Sequence, residues 1–345
     1  MQKVSLVGVT GYTGIELFRL LQSHPSIQIN QLFSRNHAGE DIADIYPQLS
    51  GVYSQQLVEF SPEAVAPEEI VFTALPHGIS QEIVAELRQQ GNRVIDLSGD
   101  FRYRDQKVYE EWYQREHNYP ELLQEAVYGL PELKRKQIKQ AKLVANPGCY
   151  PTASLLGLYP LLEEGLLQPE TVIIDAKSGV SGAGKSLKRV THFVEADENV
   201  GAYSPTGHRH TSEIEGLMAE YTGGFTGIAF TPHLIPIKRG ILATIYTKIS
   251  GSIGGKALIG LYRQFYDDEP FVHLLTGDNL PQTHSVMGTN RCQLSLALDQ
   301  RSGRLKIMSA IDNLGKGAAG QAVQNLNLMA GFDEELGLTE TGIFP

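Results

Sequence analysis

The residue best placed for covalent chemistry in this sequence is Cys149. It lies between an apolar run that predicts a strand, residues 142–145, and an apolar run that predicts a helix, residues 152–164. Pro151 fits the first helical turn, where its missing N–H group costs no hydrogen bond. The free N–H groups and the positive dipole end at a helix start stabilise a thiolate. We therefore predict that Cys149 is an accessible nucleophile rather than a small buried apolar side chain.

Two histidines, His208 and His210, could supply the proton transfers that such a thiol needs. In an extended segment their side chains point to the same side, and Thr211 or Ser212 could cap a following helix. We expect one imidazole to act as general acid/base, with a slight preference for His208. Substrate binding is the alternative. Zinc ligation is disfavoured, because no Cys-x-x-Cys motif or further close histidine completes a tetrahedral set, and we predict no metal.

The segment from Gly179 to Lys185 contains three glycines and one serine and ends in a lysine. Backbone N–H groups, a hydroxyl and a cation together are typical of an anion site. We predict that the Ser181 hydroxyl, Lys185 and the backbone N–H groups hold a phosphate. A flexible connection is the alternative.

The N-terminal region carries the pattern of a dinucleotide-binding turn. An apolar run at residues 4–9 leads directly into Gly8, Gly11 and Gly14, and a helical repeat of apolar residues follows. In the order strand, turn, helix, such glycines let the backbone approach a pyrophosphate at the helix N-terminus. The spacing is GxxGxxG rather than GxGxxG, so the prediction depends on the position of the turn directly after a strand.

Ser34 and Arg35 indicate which dinucleotide would bind. They follow a predicted strand at residues 27–33, where an NAD-specific fold places an acidic residue for the ribose 2′-hydroxyl. A hydroxyl and a guanidinium suit a 2′-phosphate instead. The sequence therefore predicts NADP, with a solvated loop arginine as the alternative.

Strand and helix patterns alternate through the first half of the chain. The pattern predicts an α/β fold with a Rossmann-like, doubly wound parallel sheet, which binds ligands at the carboxyl ends of its strands. His77 and Asp100 lie at such ends. His77 either contacts the cofactor or caps a helix, and Asp100 could simply pair with Arg102. The second half has clustered strands and fewer helices, which predicts an α+β catalytic domain with a mixed or antiparallel sheet.

Composition fits an ordinary globular protein. The chain has 345 residues, 41% of them hydrophobic and 20% charged, which suits two domains that share a cleft. The formal charge of -10 argues against nucleic acid or an anionic membrane as a partner. Two cysteines give no disulfide framework, and neither a signal peptide nor a membrane span is evident. We expect a cytoplasmic protein.

Taken in order, these motifs resemble the N-acetyl-gamma-glutamyl-phosphate reductases, a family of the aspartate-semialdehyde dehydrogenase superfamily. The resemblance runs nearly end to end, and so many ordered matches are more specific than any single motif. The matching segments are residues 8–14, 74–78, 96–102, 128–132, 146–152, 178–185, 207–210, 230–233, 288–290 and 312–321. One departure is Lys185, where family members often carry arginine, so a cation is retained but bidentate geometry is lost.

The resemblance implies an NADPH-dependent reduction of N-acetyl-gamma-glutamyl phosphate, with release of phosphate, through a thioester on Cys149 in arginine biosynthesis. It also implies that His208 and His210 line the catalytic pocket and that the enzyme is a homo-oligomer, a dimer or tetramer. The alternatives are a reductase of a carrier-bound aminoadipyl phosphate in lysine biosynthesis, aspartate-semialdehyde dehydrogenase, and a catalytically silent NADP-binding sensor.

The same resemblance assigns site residues and domains. Substrate contacts are expected from Asn146, Ser181 and Lys185. Cofactor contacts are expected from Gly8, Thr10, Gly11, Tyr12, Thr13, Gly14, Ser34, Arg35, Leu75, Pro76, His77, Ser178, Gly179, Gly182, Ala183 and Asn313. The expected domains are an NADP-binding domain at residues 1–148, a catalytic and oligomerisation domain at 149–314, and a C-terminal helix and tail at 315–345 that returns to the first domain.

Overall fold

A computed structural model describes residues 1–224, 227–339 and 341–342, and the chain folds into two compact units. The first unit comprises Met1–Pro147 and Ala318–Leu338. The second comprises Gly148–Gly317, together with the described residues that follow Leu338. The predicted C-terminal segment, 315–345, is thus divided between the two units, and its residues 340 and 343–345 lie outside the described residues.

The first unit is built on a sheet of six strands among its described residues. They are β1 Gln2–Val7, β2 Ile27–Phe33, β3 Ile70–Thr73, β4 Arg93–Asp96, β5 Val127–Tyr128 and β6 Leu143–Ala145. Their order in the sheet is β2-β1-β3-β4-β6-β5, and every neighbouring pair is parallel. Because later strands are added on both sides of β1, the predicted doubly wound, Rossmann-like sheet is confirmed.

The second unit contains a sheet of seven strands in the part of the chain described. They are β7 Ile173–Gly179, β8 Gly201–Ala202, β9 Ala229–Ile235, β10 Ile241–Thr247, β11 Val272–Leu274, β12 Cys292–Asp299 and β13 Arg304–Ile311. The order is β11-β12-β13-β10-β7-β9-β8. Most neighbours are antiparallel, while β7 with β9 and β11 with β12 are parallel. The predicted α+β unit is confirmed, and its sheet is mixed.

The helices are numbered along the whole chain. They are α1 Tyr12–Gln22, α2 Ile42–Ile45, α3 Ser80–Gln89, α4 Gln106–Tyr113, α5 Pro120–Glu125, α6 Pro131–Ile138, α7 Cys149–Glu163, α8 Phe193–Ala196, α9 His210–Thr222, α10 Gly255–Tyr266, α11 Thr283–Val286 and α12 Gly320–Ala330. A π-helical turn at Gly315–Ala319 precedes α12, and short 3-10 turns include Val180–Ala183 after β7. Helices α1 to α6 and α12 belong to the first unit, and α7 to α11 to the second.

Helix α7 is the buried centre of the second unit. Nearly all of its residues are buried, so it is apolar on every side rather than amphipathic. Pro160 has no N–H group to donate to the carbonyl of Leu156, one turn earlier. Tyr266 of α10 donates its hydroxyl to that carbonyl at 2.5 Å, and Tyr262 donates to the carbonyl of Gly157 at 2.6 Å. The helix therefore tolerates an internal proline because another helix supplies the donor that the proline lacks.

Helix α1 packs closely on the turn that precedes it. A Cβ added at Gly14 would overlap the carbonyl oxygen of Gly8 and lie 2.8 Å from the Cα of Val9. The buried face of the helix carries Leu17, Phe18, Leu20 and Leu21, at the spacing of one helical stripe. The absence of a side chain at Gly14 therefore sets the distance between the helix start and the turn.

Gly14→Ala is expected to lower the free energy of unfolding by about 1–3 kcal/mol, because the added methyl group overlaps backbone rather than a flexible side chain. Gly11→Ala is the matched control, since its φ is -82° and its added Cβ meets nothing nearer than 3.8 Å. Urea unfolding of both variants beside wild type checks this. An equal loss in the two variants would contradict the packing explanation.

Candidate active site

Cys149 is the first residue of α7, so this helix begins earlier than its predicted start at Thr152. Gly148 precedes it as the N-cap, with extended backbone at φ -70° and ψ 154°. The side chain of Cys149 is partly exposed, whereas Cys292 is fully buried. The thiol therefore lies at the positive end of a helix, where a thiolate is stabilised.

A buried carboxylate fixes the turn in front of the cysteine. The N–H of Gly148 donates to Oε1 of Glu213 at 2.8 Å, and Glu213 is 2% exposed. Glu213 lies in the first turn of α9, the helix that begins at His210. This hydrogen bond therefore joins the starts of α7 and α9. The sequence prediction missed Glu213, whose only local signal is its place one turn after a candidate histidine, on the same helix face.

His210 lies directly against the turn that precedes the cysteine. A Cβ added at Gly148 would be 2.5 Å from Nε2 of His210, so only glycine fits beside the imidazole. His210 is itself the first residue of α9, ahead of the predicted caps Thr211 and Ser212. Ser212 instead donates its hydroxyl to the carbonyl of Arg209 at 2.9 Å. The prediction of a cap at Thr211 or Ser212 is therefore wrong.

His208 is enclosed by aromatic rings. The ring centroids of Tyr150, Tyr203 and Phe230 lie 5.6, 5.5 and 5.4 Å from its own, each in an edge-on arrangement. Its Nδ1 accepts a hydrogen bond from the N–H of His210 at 3.2 Å. Burial, and to a lesser degree the neighbouring arginine, lowers the pKa of His208 to about 4. His208 is therefore neutral at pH 7 and a poor proton donor there.

Two tyrosine hydroxyls extend this cluster. Tyr203 donates to the hydroxyl of Tyr150 at 3.1 Å, and Tyr150 donates to the carbonyl of His233 at 3.4 Å. Burial raises the pKa of Tyr203 to about 12 and also raises the pKa of Tyr150, so both side chains stay neutral. The sequence prediction did not include either tyrosine, because nothing local distinguishes them from core residues.

Gly317 lies against the other side of the cysteine. A Cβ at Gly317 would be 2.8 Å from the Cβ of Cys149 and 3.2 Å from the carbonyl oxygen of Asp312. Asp312 is fully buried, pairs with Arg239 at 2.9 Å and accepts from the N–H of Gly288 at 2.6 Å. A fixed carboxylate and two close glycines therefore leave the cysteine backbone little freedom.

The predicted anion loop is partly committed to bonds within its own unit. Three successive N–H groups, starting at Gly179, donate to carbonyls of residues 237–240 at 2.9, 3.0 and 3.2 Å. Those N–H groups are therefore unsuited to hold a phosphate, which corrects that part of the prediction. Ser181 accepts from the side chain of Asn313 at 2.9 Å, which leaves its hydroxyl hydrogen for an acceptor. Lys185 is exposed, and its phosphate role stays a prediction.

Residues 179–186 also have the spacing GxxxxGKS of a P-loop. A P-loop needs a helix that begins at its lysine, so that the helix N-terminus faces the phosphates. In the described chain, a 3-10 turn at Val180–Ala183 follows the strand instead, and the next α-helix begins only at Phe193. The spacing therefore occurs without the structural context of a P-loop.

The predicted dinucleotide turn lies at the carboxyl end of β1, where the order of strands reverses. Gly8 has a φ of +90°, and a Cβ there would lie 2.5 Å from the carbonyl oxygen of Ala74 after β3. The hydroxyls of Thr10 and Ser34 are 3.4 Å apart, and Arg35 is exposed at the end of β2. The turn thus has the close backbone packing that approach to a pyrophosphate requires.

The remaining predicted contacts are distributed over both units. Asn146 is buried in the first unit, where it donates to the carbonyl of Ala318 at 3.1 Å and accepts from Asn325 at 3.0 Å. Its amide is therefore bonded within that unit, and its substrate role stays a prediction. Among predicted cofactor residues, Leu75, Pro76 and His77 lie in the first unit, and Ser178, Gly179, Gly182, Ala183 and Asn313 in the second.

Across the described ranges, no group of three His, Cys, Asp or Glu side chains is placed to hold a metal ion. Within the same ranges, no helix combines the length and the apolar character that crossing a membrane requires.

Two family models match most of the chain. Residues 3–141 match the semialdehyde dehydrogenase, NAD binding domain, and residues 149–313 match the semialdehyde dehydrogenase, dimerisation domain. The chain belongs to the semialdehyde dehydrogenase family. The resemblance carried by its motifs is confirmed, and this family member is a dehydrogenase-type enzyme that uses a nicotinamide dinucleotide. The dimerisation domain supports a homo-oligomer.

Relatives of this family member are similar over their full length. The chain is 56% identical to the N-acetyl-gamma-glutamyl-phosphate reductase of Halothermothrix orenii, 51% to that of Desulforudis audaxviator and 48% to that of Moorella thermoacetica. Each match covers 100% of both chains. Among solved structures, aspartate semialdehyde dehydrogenase II from Vibrio cholerae has a TM-score of 0.73 at 17% identity, over 96% of this chain and 99% of that chain. At this identity the likeness shows the fold alone.

His210→Asn is expected to remove one limb of the kcat–pH profile, whereas His208→Asn should keep both limbs, because His208 is already neutral near pH 7. Measuring kcat from pH 5 to pH 9 for the two variants and wild type checks this. The opposite result, a limb lost only in His208→Asn, would assign the proton transfer to His208 and overturn the geometric preference for His210.

Proposed function

We propose that this chain reduces N-acetyl-gamma-glutamyl phosphate to N-acetylglutamate semialdehyde, with release of phosphate, in arginine biosynthesis. The full-length relatives at 48–56% identity carry the name of this reaction. The observation that carries the proposal is the placement of Cys149 and His210 at two helix starts joined by the Glu213 hydrogen bond of 2.8 Å. Transfer of the acyl group from an acyl phosphate to the enzyme requires a nucleophile with an acid/base group beside it.

In the first step, the Cys149 thiolate attacks the carbonyl carbon of the acyl phosphate. A carbon–sulfur bond forms, the bond between that carbon and the phosphate oxygen breaks, and inorganic phosphate leaves with the electron pair. His210 takes the thiol proton beforehand, because its imidazole lies against the residue before the cysteine. Ser181 and Lys185 are the groups that we propose for holding the departing phosphate.

The residues around the glycine turn fit a nicotinamide dinucleotide. A Cβ at Gly8 would contact the carbonyl of Ala74, so only glycine fits at this position of the turn. The backbone of the turn is therefore accessible to a ligand. Gly8, Thr10 and Gly11 would hold the pyrophosphate, and Ser34 with Arg35 the ribose end. When bound, the reduced cofactor supplies a hydride to the thioester carbonyl carbon.

His210 then moves protons at the carbonyl oxygen. Its imidazolium donates a proton to that oxygen as the carbon becomes tetrahedral, and it takes the proton back as the carbon–sulfur bond breaks. The thiolate leaves with the bonding electrons, and the aldehyde is released. His208 remains neutral and packs among aromatic rings beside this site.

NADP as the specific dinucleotide and the cytoplasm as the location are parts of the same proposal. The exposed Arg35 and the buried Ser34 at the end of β2 support the choice of NADP, because the 2′-phosphate needs a cation and a donor. Two free cysteines support a reducing compartment, where a reactive thiol such as Cys149 survives.

Cys149→Ser is expected to lower kcat by at least about a thousand-fold with N-acetyl-gamma-glutamyl phosphate and NADPH, because an alkoxide is far harder to form than a thiolate. The absorbance of NADPH measures the rate, and calorimetry measures its binding, which should stay close to wild type. Cys292→Ser is the control and should keep its turnover, since that thiol is fully buried. Wild-type turnover in Cys149→Ser would end the covalent mechanism.

Arg35→Ala is expected to weaken the binding of NADPH about ten-fold or more and to leave that of NADH nearly unchanged, because a charge-assisted bond to the 2′-phosphate is lost. Calorimetric Kd values for both dinucleotides check this. Arg104→Ala, another exposed arginine of the first unit, is the control and should alter neither affinity. Equal losses for the two dinucleotides in Arg35→Ala would give Arg35 a different role.

A further inference from the structure

Two loops at the carboxyl edge of the first sheet hold each other by reciprocal hydrogen bonds. The N–H of Gly78, after β3, donates to both carboxylate oxygens of Asp100 at 2.9 and 2.8 Å. In return, the N–H of Gly99, after β4, donates to Nδ1 of His77 at 2.8 Å. A ring nitrogen that accepts a hydrogen bond carries no proton, so the proton of a neutral His77 is on Nε2. The two loops therefore fix His77 as a donor through Nε2.

Both donor positions are glycines that lie in close contact with neighbouring side chains. Gly78 has a φ of +82°, and a Cβ there would lie 2.8 Å from the guanidinium of Arg115. A Cβ at Gly99 would overlap the hydroxyl of Tyr113. The ring of Tyr113 also contacts His77 edge-on, with centroids 5.1 Å apart. His77 is therefore held by the N–H of Gly99 on one side and contacts the ring of Tyr113 on another.

Asp100 is a fully buried carboxyl group that burial makes hard to ionise. Tyr109 donates its hydroxyl to Asp100 at 2.9 Å, and the relative exposure of Asp100 is 0%. Burial first, and the charge of Asp96 second, raise the pKa of Asp100 to about 6. A carboxyl with a pKa raised by folding lowers the free energy of unfolding as the pH rises from about 4 to about 6.

We propose that Asp100 is a positioning residue for the dinucleotide site: its carboxylate anchors Gly78 and thereby holds His77 in place as a donor to the bound cofactor. This inference rests on the proposed function, because the contact between His77 and the cofactor is itself part of that proposal. The loop lies at the carboxyl end of β3, next to the strand whose glycine turn would hold the pyrophosphate.

The ionisation of Asp100 links this anchoring to pH. The titratable and charged groups around the two loops are His77 itself, Asp96, Arg102, Tyr109, Tyr113, Arg115 and His117. Arg102 and the Tyr109 bond favour the carboxylate, whereas Asp96 opposes it. Below about pH 6 the carboxyl is protonated, and its bond to Gly78 is reduced to one between neutral groups. Cofactor affinity should therefore fall as the pH falls through this range.

The test measures the Kd of NADPH by calorimetry for wild type and Asp100→Asn between pH 5 and pH 8. The ratio of variant Kd to wild-type Kd should be about five at pH 8, because a charged acceptor is replaced by a neutral one, and should fall toward one at pH 5. The 2′-phosphate titrates in the same range but cancels in this ratio, because both proteins bind the same ligand. Asp105→Asn, an exposed residue that caps α4, is the matched control with a ratio of one throughout.

Tyr109→Phe is the second variant, and it keeps the test decisive if Asp100→Asn does not fold. Removing the hydroxyl donor leaves the carboxylate less stabilised, so the fall in NADPH affinity should begin at a higher pH than in wild type. A ratio that does not change with pH in Asp100→Asn, or an unchanged midpoint in Tyr109→Phe, overturns the positioning role alone. Wild type that binds no dinucleotide at pH 8 overturns the proposed function and this inference with it.

Discussion

The hydrogen bond from the N–H of Gly148 to the Glu213 carboxylate is the contact on which the reactive geometry of the second unit depends. At 2.8 Å and out of water, it joins the first turns of two helices, each of which begins with a reactive side chain. A hydrogen bond to a charged group is worth about 1.5–3 kcal/mol, and a buried carboxylate is costly to leave without one. Each partner therefore requires the other, and Cys149 and His210 are held together as a result.

Such a bond works only where backbones approach closely. The imidazole of His210 occupies the space that a side chain at Gly148 would need, and the β-carbon of Cys149 does the same at Gly317. Both glycines are thus needed for the absence of a side chain rather than for flexibility. Contacts on two sides therefore determine the position of the cysteine. A nucleophile needs such a fixed position, because it must reach a carbonyl carbon at bonding distance.

Local sequence patterns predicted much of this molecule, because strands, helix stretches and the glycine turn depend on neighbouring residues. Cys149 at a helix start and the alternation around Gly8 are signals of that kind. The helix cap at Thr211 or Ser212 was predicted wrongly, since the helix begins at His210, whose place is determined by tertiary contacts. Glu213 was missed for the same reason. Its partner lies 65 positions away, and the spacing of residues along the sequence does not predict such a long-range hydrogen bond.

The tyrosines that complete α7 bear on how the second unit assembles during synthesis. The carbonyl that Pro160 leaves without an intrahelical donor finds one in Tyr266, 110 positions later in the chain. A growing chain that ends after α9 already contains the cysteine, both histidines and Glu213, yet it lacks the tyrosine that donates to this carbonyl. Closing a segment of this length costs entropy before any contact compensates for it. The hydrogen bonding of the helix that carries the nucleophile is therefore complete only when α10 is docked on it.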